Sequence, residues 1–327
     1  MRKRFWYCVA IVVGTYVLFC VISGIVGAEI AVHVNRHPVT ASDEASAPQW
    51  AKDDGASMLE IAIKADDGIP LMAWEVVPED ANGDVVILLH GRGGNRLEMK
   101  NYADFLLAHG YSVLMPDARG HGNSGGRLTG AGLLERNDIY LWVQWLVTDR
   151  HPNCVYGYGE SMGAAQLLQS LQLESRFCAV AVECPFATFR EIAYDRMGQP
   201  FHLGPWVGRT ILRPAVETAF WYARVRYGFD MDRVSPEAAV ENSRTPILLI
   251  HGQSDTNIPV RHSRRLAQLN PAIALWELPN TGHSNAIDTS PHELEHNLIR
   301  WFSSHPSSRS AKQKNLDAAQ LADKRFR

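Results

Sequence analysis

Residues 155–170 read VYGYGESMGAAQLLQS, and this run decides the fold. Asn153 to Tyr158 suits a short strand and Ala164 to Leu173 suits a helix, so Gly159-Glu160-Ser161-Met162-Gly163 must turn one directly into the other. A serine at the centre of such a turn takes a strained backbone, and glycines two positions before and after it leave room for the bend. The bend lifts the Ser161 hydroxyl clear of the sheet. The helix opening at Met162 directs amide protons and the positive end of its dipole toward that hydroxyl. The pattern marks Ser161 as a candidate nucleophile, with a plain structural turn as the alternative.

Outward from this elbow, short apolar runs alternate with helical stretches. Met58–Ile63 and Leu71–Val77 flank the Asp66-Asp67-Gly68 turn and read as a hairpin. Val85–Leu89, Tyr111–Met115, Cys178–Val182, Ile247–Ile250 and Ala272–Leu278 read as further strands. Glu98–Ala108, Leu133–Val147 and a final stretch opening at Pro291 read as helices. Such alternation argues an α/β fold with a mostly parallel sheet covered on both faces. Residues 185–245 break the rhythm and are rich in aromatics such as Phe186, Phe189, Trp206, Phe220 and Trp221. The expectation is a helical cap over the carboxyl ends of the strands, its aromatics lining a pocket or packing the cap to the body.

The N-terminus differs in kind. Phe5 to Ala28 carries no charge, and at 1.5 Å per residue it spans about 36 Å. Arg2, Lys3 and Arg4 precede it and Glu29 follows. The positive-inside rule then puts the stub in the cytoplasm and the remainder on the extracytoplasmic side. A cleaved signal peptide is the competing reading, because Val26 to Ala28 offers small residues. The expected organisation is a stub and transmembrane anchor over 1–32, a juxtamembrane tether over 33–56, a folded body over 57–305 and a basic tail over 306–327.

Composition narrows the function classes. Of 327 residues, 46% are hydrophobic and 20% charged, with a net charge of -3, which excludes a disordered chain and implies no nucleic-acid partner. The five cysteines form no Cys-x-x-Cys pair, and Cys154, Cys178 and Cys184 are expected as buried thiols.

A serine nucleophile needs a base and the base needs an orienter. His283, in the loop after the last strand, and Asp255, in the loop after the strand before it, fit those roles, with Glu183 as reserve orienter. Backbone amides of Arg92 and Met162 are the expected oxyanion donors. His90 and His121 read as structural, and Asp117 as a brace for the glycine loop. His292-Glu293-Leu294-Glu295-His296 matches a zinc motif but has no third ligand in the expected place, so an amphipathic closing helix is the better reading. Gly91, Gly93 and Gly94 are followed by no Gly-Lys-Ser/Thr, which argues against a nucleotide.

These residues resemble the α/β-hydrolase superfamily over about residues 57–303, through LLHGRGGN at 88–95, PDARGHGNSGG at 116–126, GYGESMGA at 157–164, PILLIHGQSDTNIP at 246–259 and TGHSNA at 281–286. Within it they are similar to the serine aminopeptidase-like and prolyl oligopeptidase-like branch, including membrane-anchored members. The resemblance implies an eight-stranded core, a cap after the sixth strand and a triad matching Ser161, Asp255 and His283. It leaves the substrate open. The expectation is a serine hydrolase acting on a small ester, a lipid-like ester or a short peptide, requiring no metal or organic cofactor. A peptidase or amidase, an acyl transferase and a non-catalytic membrane scaffold are the alternatives. Oligomeric state is not legible.

Overall fold

The computed structural model describes residues 2–307, so the tail expected over 306–327 lies, from residue 308 onward, outside the described residues. Eight strands form one sheet among them: β1 (Ala56–Lys64), β2 (Pro70–Pro78), β3 (Val85–Leu89), β4 (Ser112–Pro116), β5 (Val155–Glu160), β6 (Phe177–Glu183), β7 (Ile247–Gly252) and β8 (Ile273–Leu278). Their spatial order is β1-β2-β4-β3-β5-β6-β7-β8. β2 pairs antiparallel with β1 and β4, and the other pairings are parallel. The central strands β3, β4 and β7 are buried along their whole length, which is why they read as unbroken apolar runs.

The helices are α1 (Arg2–Val32), α2 (Ala41–Asp53), α3 (Lys100–Ala108), α4 (Glu135–Trp145), α5 (Met162–Ser170), α6 (Phe189–Gly198), α7 (Trp206–Arg209), α8 (Arg213–Tyr227), α9 (Pro236–Val240), α10 (Arg261–Ala267), α11 (Ala286–Thr289) and α12 (Pro291–Ser303). One apolar layer joins Tyr102 and Leu106 of α3 with Leu294, Leu298 and Phe302 of α12; the other joins Trp142 and Val143 of α4 with Leu167 and Leu168 of α5. The sheet is sandwiched between them. Helices α6 to α9 lie between β6 and β7 and form the cap.

Two regions differ from the sequence expectation. The segment 33–56, expected as a tether, is laid along the body. Thr40 and Asp43 form a capping box that starts α2, and Ala47 and Ala51 of this helix are buried. Ahead of α2, Arg36 donates to the Gly126 carbonyl at 2.6 Å and His37 Nδ1 bonds the Gly93 carbonyl at 2.7 Å. The alanine, serine and aspartate content that suggested a linker hides a helix whose small side chains allow close packing. The second difference is at the cysteines. Cys154 and Cys178, expected as thiols, form a disulfide, their Cα atoms 5.8 Å apart. Adjacent parallel pairing of β5 and β6 brings the two together at the strands' amino ends; nothing in their spacing of 24 residues reveals it. Cys184 remains a buried thiol.

The cap is held to the body by ionic contacts beneath α6. Asp195 accepts from Arg261 at 2.6 and 2.7 Å and from His262 Nε2 at 2.8 Å, while the Ala187 amide donates to His262 Nδ1. Asp195 and His262 are buried, so neither is replaced cheaply by water. Asp195→Ala strands the buried His262 Nε2–H, while Arg261 keeps Glu191, and should lower the unfolding free energy by about 2 kcal/mol, measured by chemical denaturation. A change near zero would mean that the Asp195 contacts do not hold the cap to the body.

Candidate active site

Ser161 lies between β5 and α5 with φ 52° and ψ −108°, in the positive-φ region that an L residue avoids. This conformation costs on the order of 1–3 kcal/mol and persists because its surroundings leave no alternative. Its own amide donates to the Glu183 carbonyl at 2.8 Å. A Cβ on Gly159 would lie 2.7 Å from the Gly163 carbonyl, and one on Gly163 would collide with the Leu89 carbonyl. Both glycines are therefore sterically required.

Three loops converge on the serine. His283 Nε2 lies 2.7 Å from Ser161 Oγ, and His283 Nδ1 lies 2.7 Å from Asp255 Oδ2. The Asp255 side chain is fully buried and His283 is partly exposed. Amides of Asn257 and Ile258 donate to Asp255 Oδ1, each at 2.8 Å, which fixes the carboxylate. Burial alone would raise the Asp255 carboxyl; hydrogen bonds from His251 and His283, with the charge of His283, outweigh it and hold the group well below the ordinary carboxylate range. Asp255 is thus ionised whenever the protein is folded near neutrality. Glu183, the reserve orienter, bonds elsewhere: it accepts from Tyr158 at 2.7 Å and from the Ala286 amide at 3.0 Å.

Met162 is the first residue of α5, and the β3 loop passes beside the elbow. A Cβ on Gly91 would lie 3.2 Å from Glu160 and 3.9 Å from Ser161 Cβ, so the backbone leading into Arg92 abuts the serine. The Arg92 side chain turns away to donate to the Ile30 and His33 carbonyls, satisfying the carboxyl end of α1. His90 accepts from the Ala118 amide at Nε2, which leaves Nδ1–H to donate to the Gly91 carbonyl. Burial pushes this imidazole down to about 4, so it is neutral and structural. His121 is likewise held at about 4, by burial and then by His90. Asp117 receives the Arg96 and Asn123 amides, each at 2.8 Å, and clasps the loops around both histidines.

Cys184, Asp255 and His283 place their donor atoms within 4.8 Å of one another. Burial pushes the Cys184 thiol well up, so it stays protonated, and the other two groups are committed to each other. That donor set suits a cation poorly. His292, Glu293 and His296 sit on the exposed face of α12, opposite buried Leu294, Leu298 and Phe302.

A cavity of about 740 Å³ opens over Ser161 and His283. Phe186, Phe189, Ile192, Met197 and Phe220 of the cap segment line it. Trp206 and Trp221, also expected at the cap, instead face outward. The aromatics are divided between pocket and surface.

Residues 86–296 match the model of the alpha/beta hydrolase family. The chain belongs to that family. It is 30% identical over 229 residues to the uncharacterized protein YqkD of Bacillus subtilis (strain 168), covering 69% of this chain and 72% of that protein. It is 25% identical to the lysophosphatidylserine lipase ABHD12 of Danio rerio, over 63% of this chain and 57% of that one. Among solved structures, the Pyrococcus furiosus esterase Pf2001 superimposes with a TM-score of 0.65 at 23% identity, covering 84% of this chain and 99% of the esterase. That likeness concerns the fold.

One acid beside the serine, Glu160, was not singled out in the sequence, although it occupies the variable position of the elbow itself. Glu160 is pushed up to about 8 by burial, then by the neighbouring Glu183 and Glu98 carboxylates. An unfolded chain loses this proton near the ordinary value of 4.5, while the folded chain keeps it to about 8. The unfolded state therefore binds fewer protons in that window, and stability falls as pH rises through it. Glu160→Gln removes the ionisation. Its stability relative to the unsubstituted protein should grow between pH 4.5 and 8 in thermal unfolding; a constant offset would contradict the assignment.

Proposed function

We infer that this protein is a membrane-anchored serine hydrolase that cleaves carboxylic esters with an apolar acyl portion. The reading rests on the unbroken hydrogen-bonded line from Ser161 through His283 to Asp255, at 2.7 Å per step, opening into an apolar cavity. With Nδ1–H held by Asp255, His283 Nε2 is free to take the Ser161 proton as its oxygen attacks an ester carbonyl. Amides of Arg92 and Met162 stabilise the oxyanion. His283 then protonates the leaving alcohol, and water activated by the same imidazole releases the acid from the acyl-enzyme. The names of the Pyrococcus esterase and the Danio rerio lipase fit this chemistry.

The aminopeptidase-like alternative needs an acidic grip for a peptide amine. Its candidate groups have other partners: Glu183 holds Tyr158 and Ala286, Glu191 meets Arg209 and Arg261, and Asp195 meets Arg261 and His262. An ester is therefore preferred over a peptide. Fluorophosphonate labelling should be complete in the unsubstituted protein and absent in Ser161→Ala. Ester turnover should fall by at least about a thousandfold in Ser161→Ala or His283→Ala. A folded protein that neither labels nor hydrolyses short esters would favour the scaffold reading.

Membrane attachment rests on α1, a helix of 31 residues with mean hydropathy 2.6 over its most apolar window. Trp221 and Val225 of α8, which packs on α1, are more than 60% exposed, a surface suited to the headgroup boundary. The Cys154–Cys178 disulfide is at home in an oxidising compartment, as the extracytoplasmic placement requires. In intact cells or spheroplasts, external protease should reach the body, and thiol alkylation before and after reduction should reveal the disulfide. Protection from protease, together with a fully reduced Cys154, would reverse the topology.

A further inference from the structure

The membrane helix does more than lie beside the body. Cys20, Gly24, Ala28 and Val32 are buried at four-residue spacing, one stripe of α1. A Cβ on Gly24 would reach the Ala215 carbonyl and lie 2.7 Å from Thr218 Cβ, so α1 and α8 touch backbone to backbone there. Glu29 accepts from Tyr222 and Tyr227, each at 2.6 Å, and the α1 carboxyl end is held by Arg92 of the oxyanion loop. This seating rotates a neighbouring face of the helix, carrying Gly27, Ile30 and Ala31, into the wall of the cavity that holds Ser161 and His283.

From that placement we propose that the last turns of α1 are part of the substrate site and set the length of acyl chain it accepts. The inference rests on the ester-hydrolase reading for its substrate class. Gly27 is the gauge. A Cβ there would meet only Met197 Cε, at 3.9 Å, so the space beside it is open and a longer side chain projects into the cavity. Ile30 occupies the same wall about one turn further along, and its removal lengthens the site. A body without α1 lacks this wall, so signal-peptide cleavage near Ala28 would leave the pocket open on one side.

The test uses the full chain in detergent micelles, with p-nitrophenyl esters from acetyl to palmitoyl. Gly27→Leu should lower the palmitoyl-to-acetyl ratio of kcat/KM by about tenfold or more while acetyl ester turnover persists. Ile30→Ala should move the profile toward longer chains, and Val26→Leu, on an exposed position of α1, should leave it unchanged. Opposite shifts from neighbouring residues cannot arise from general unfolding. An unchanged profile in both variants, or a uniform loss at every chain length, would overturn the inference. A second readout is independent of turnover: in a Ser161→Ala background, Gly27→Leu should weaken equilibrium binding of palmitate and spare octanoate. If no ester is hydrolysed yet this binding difference holds, the hydrolase reading fails and the pocket wall stands; if esters are hydrolysed and both fatty acids bind alike, the reverse is true.

Discussion

The site depends on one compressed contact: the passage of α5 against the end of β3, with Ser161 at positive φ between them. Neither glycine of the elbow tolerates a side chain, and the Ser161 amide is tied to the next strand through the Glu183 carbonyl. Strain is sustained because β5 is paired on both sides, with β3 up to Gly159 and with β6 up to Glu160. A relaxed backbone would draw the hydroxyl back toward the sheet and away from His283. The energy that aims the Ser161 hydroxyl therefore comes from burial far from it, in the two apolar layers.

Behind the serine lies an unusual concentration of acid. Glu160 and Glu183 share the space under the elbow with Tyr102 and Tyr158, whose hydroxyls donate into it. Burial raises Glu183 as well as Glu160, against the hydrogen bonds from Tyr158 and Ala286. Two carboxylates this deep resist joint ionisation, so the cluster carries less negative charge than its composition suggests. The Glu183 bond to the Ala286 amide also reaches the segment just after His283, coupling that loop to β6.

Much of this was legible because some signals are local. The elbow, the apolar runs of β3 and β7 and the Leu294, Leu298, Phe302 spacing of α12 are each written within a few residues. Ser161, Asp255 and His283 could be named because each follows a strand, and parallel strands put those loops at one end. What escaped was set by tertiary proximity. The Cys154–Cys178 bond depends on which strands are neighbours, and α2 gains its stability from the body surface more than from its own composition. The uncharged run of α1 suggested a membrane span by its hydropathy and concealed that Gly27, Ile30 and Ala31 would face a cavity. Hydropathy reports how apolar a helix is, not which side of it finds a protein neighbour.

The guanidinium of Arg92 gives α1 a fixed seat on the body. It clamps the end of α1 to the same loop whose backbone borders the serine, so α1 cannot slide along its axis without disturbing that loop. Under the anchored reading proposed above, α1 in a bilayer would hold the Ser161 oxygen at one height above the lipid plane. On that reading, encounter would be a search in two dimensions, governed by what diffuses laterally past the mouth of the cavity.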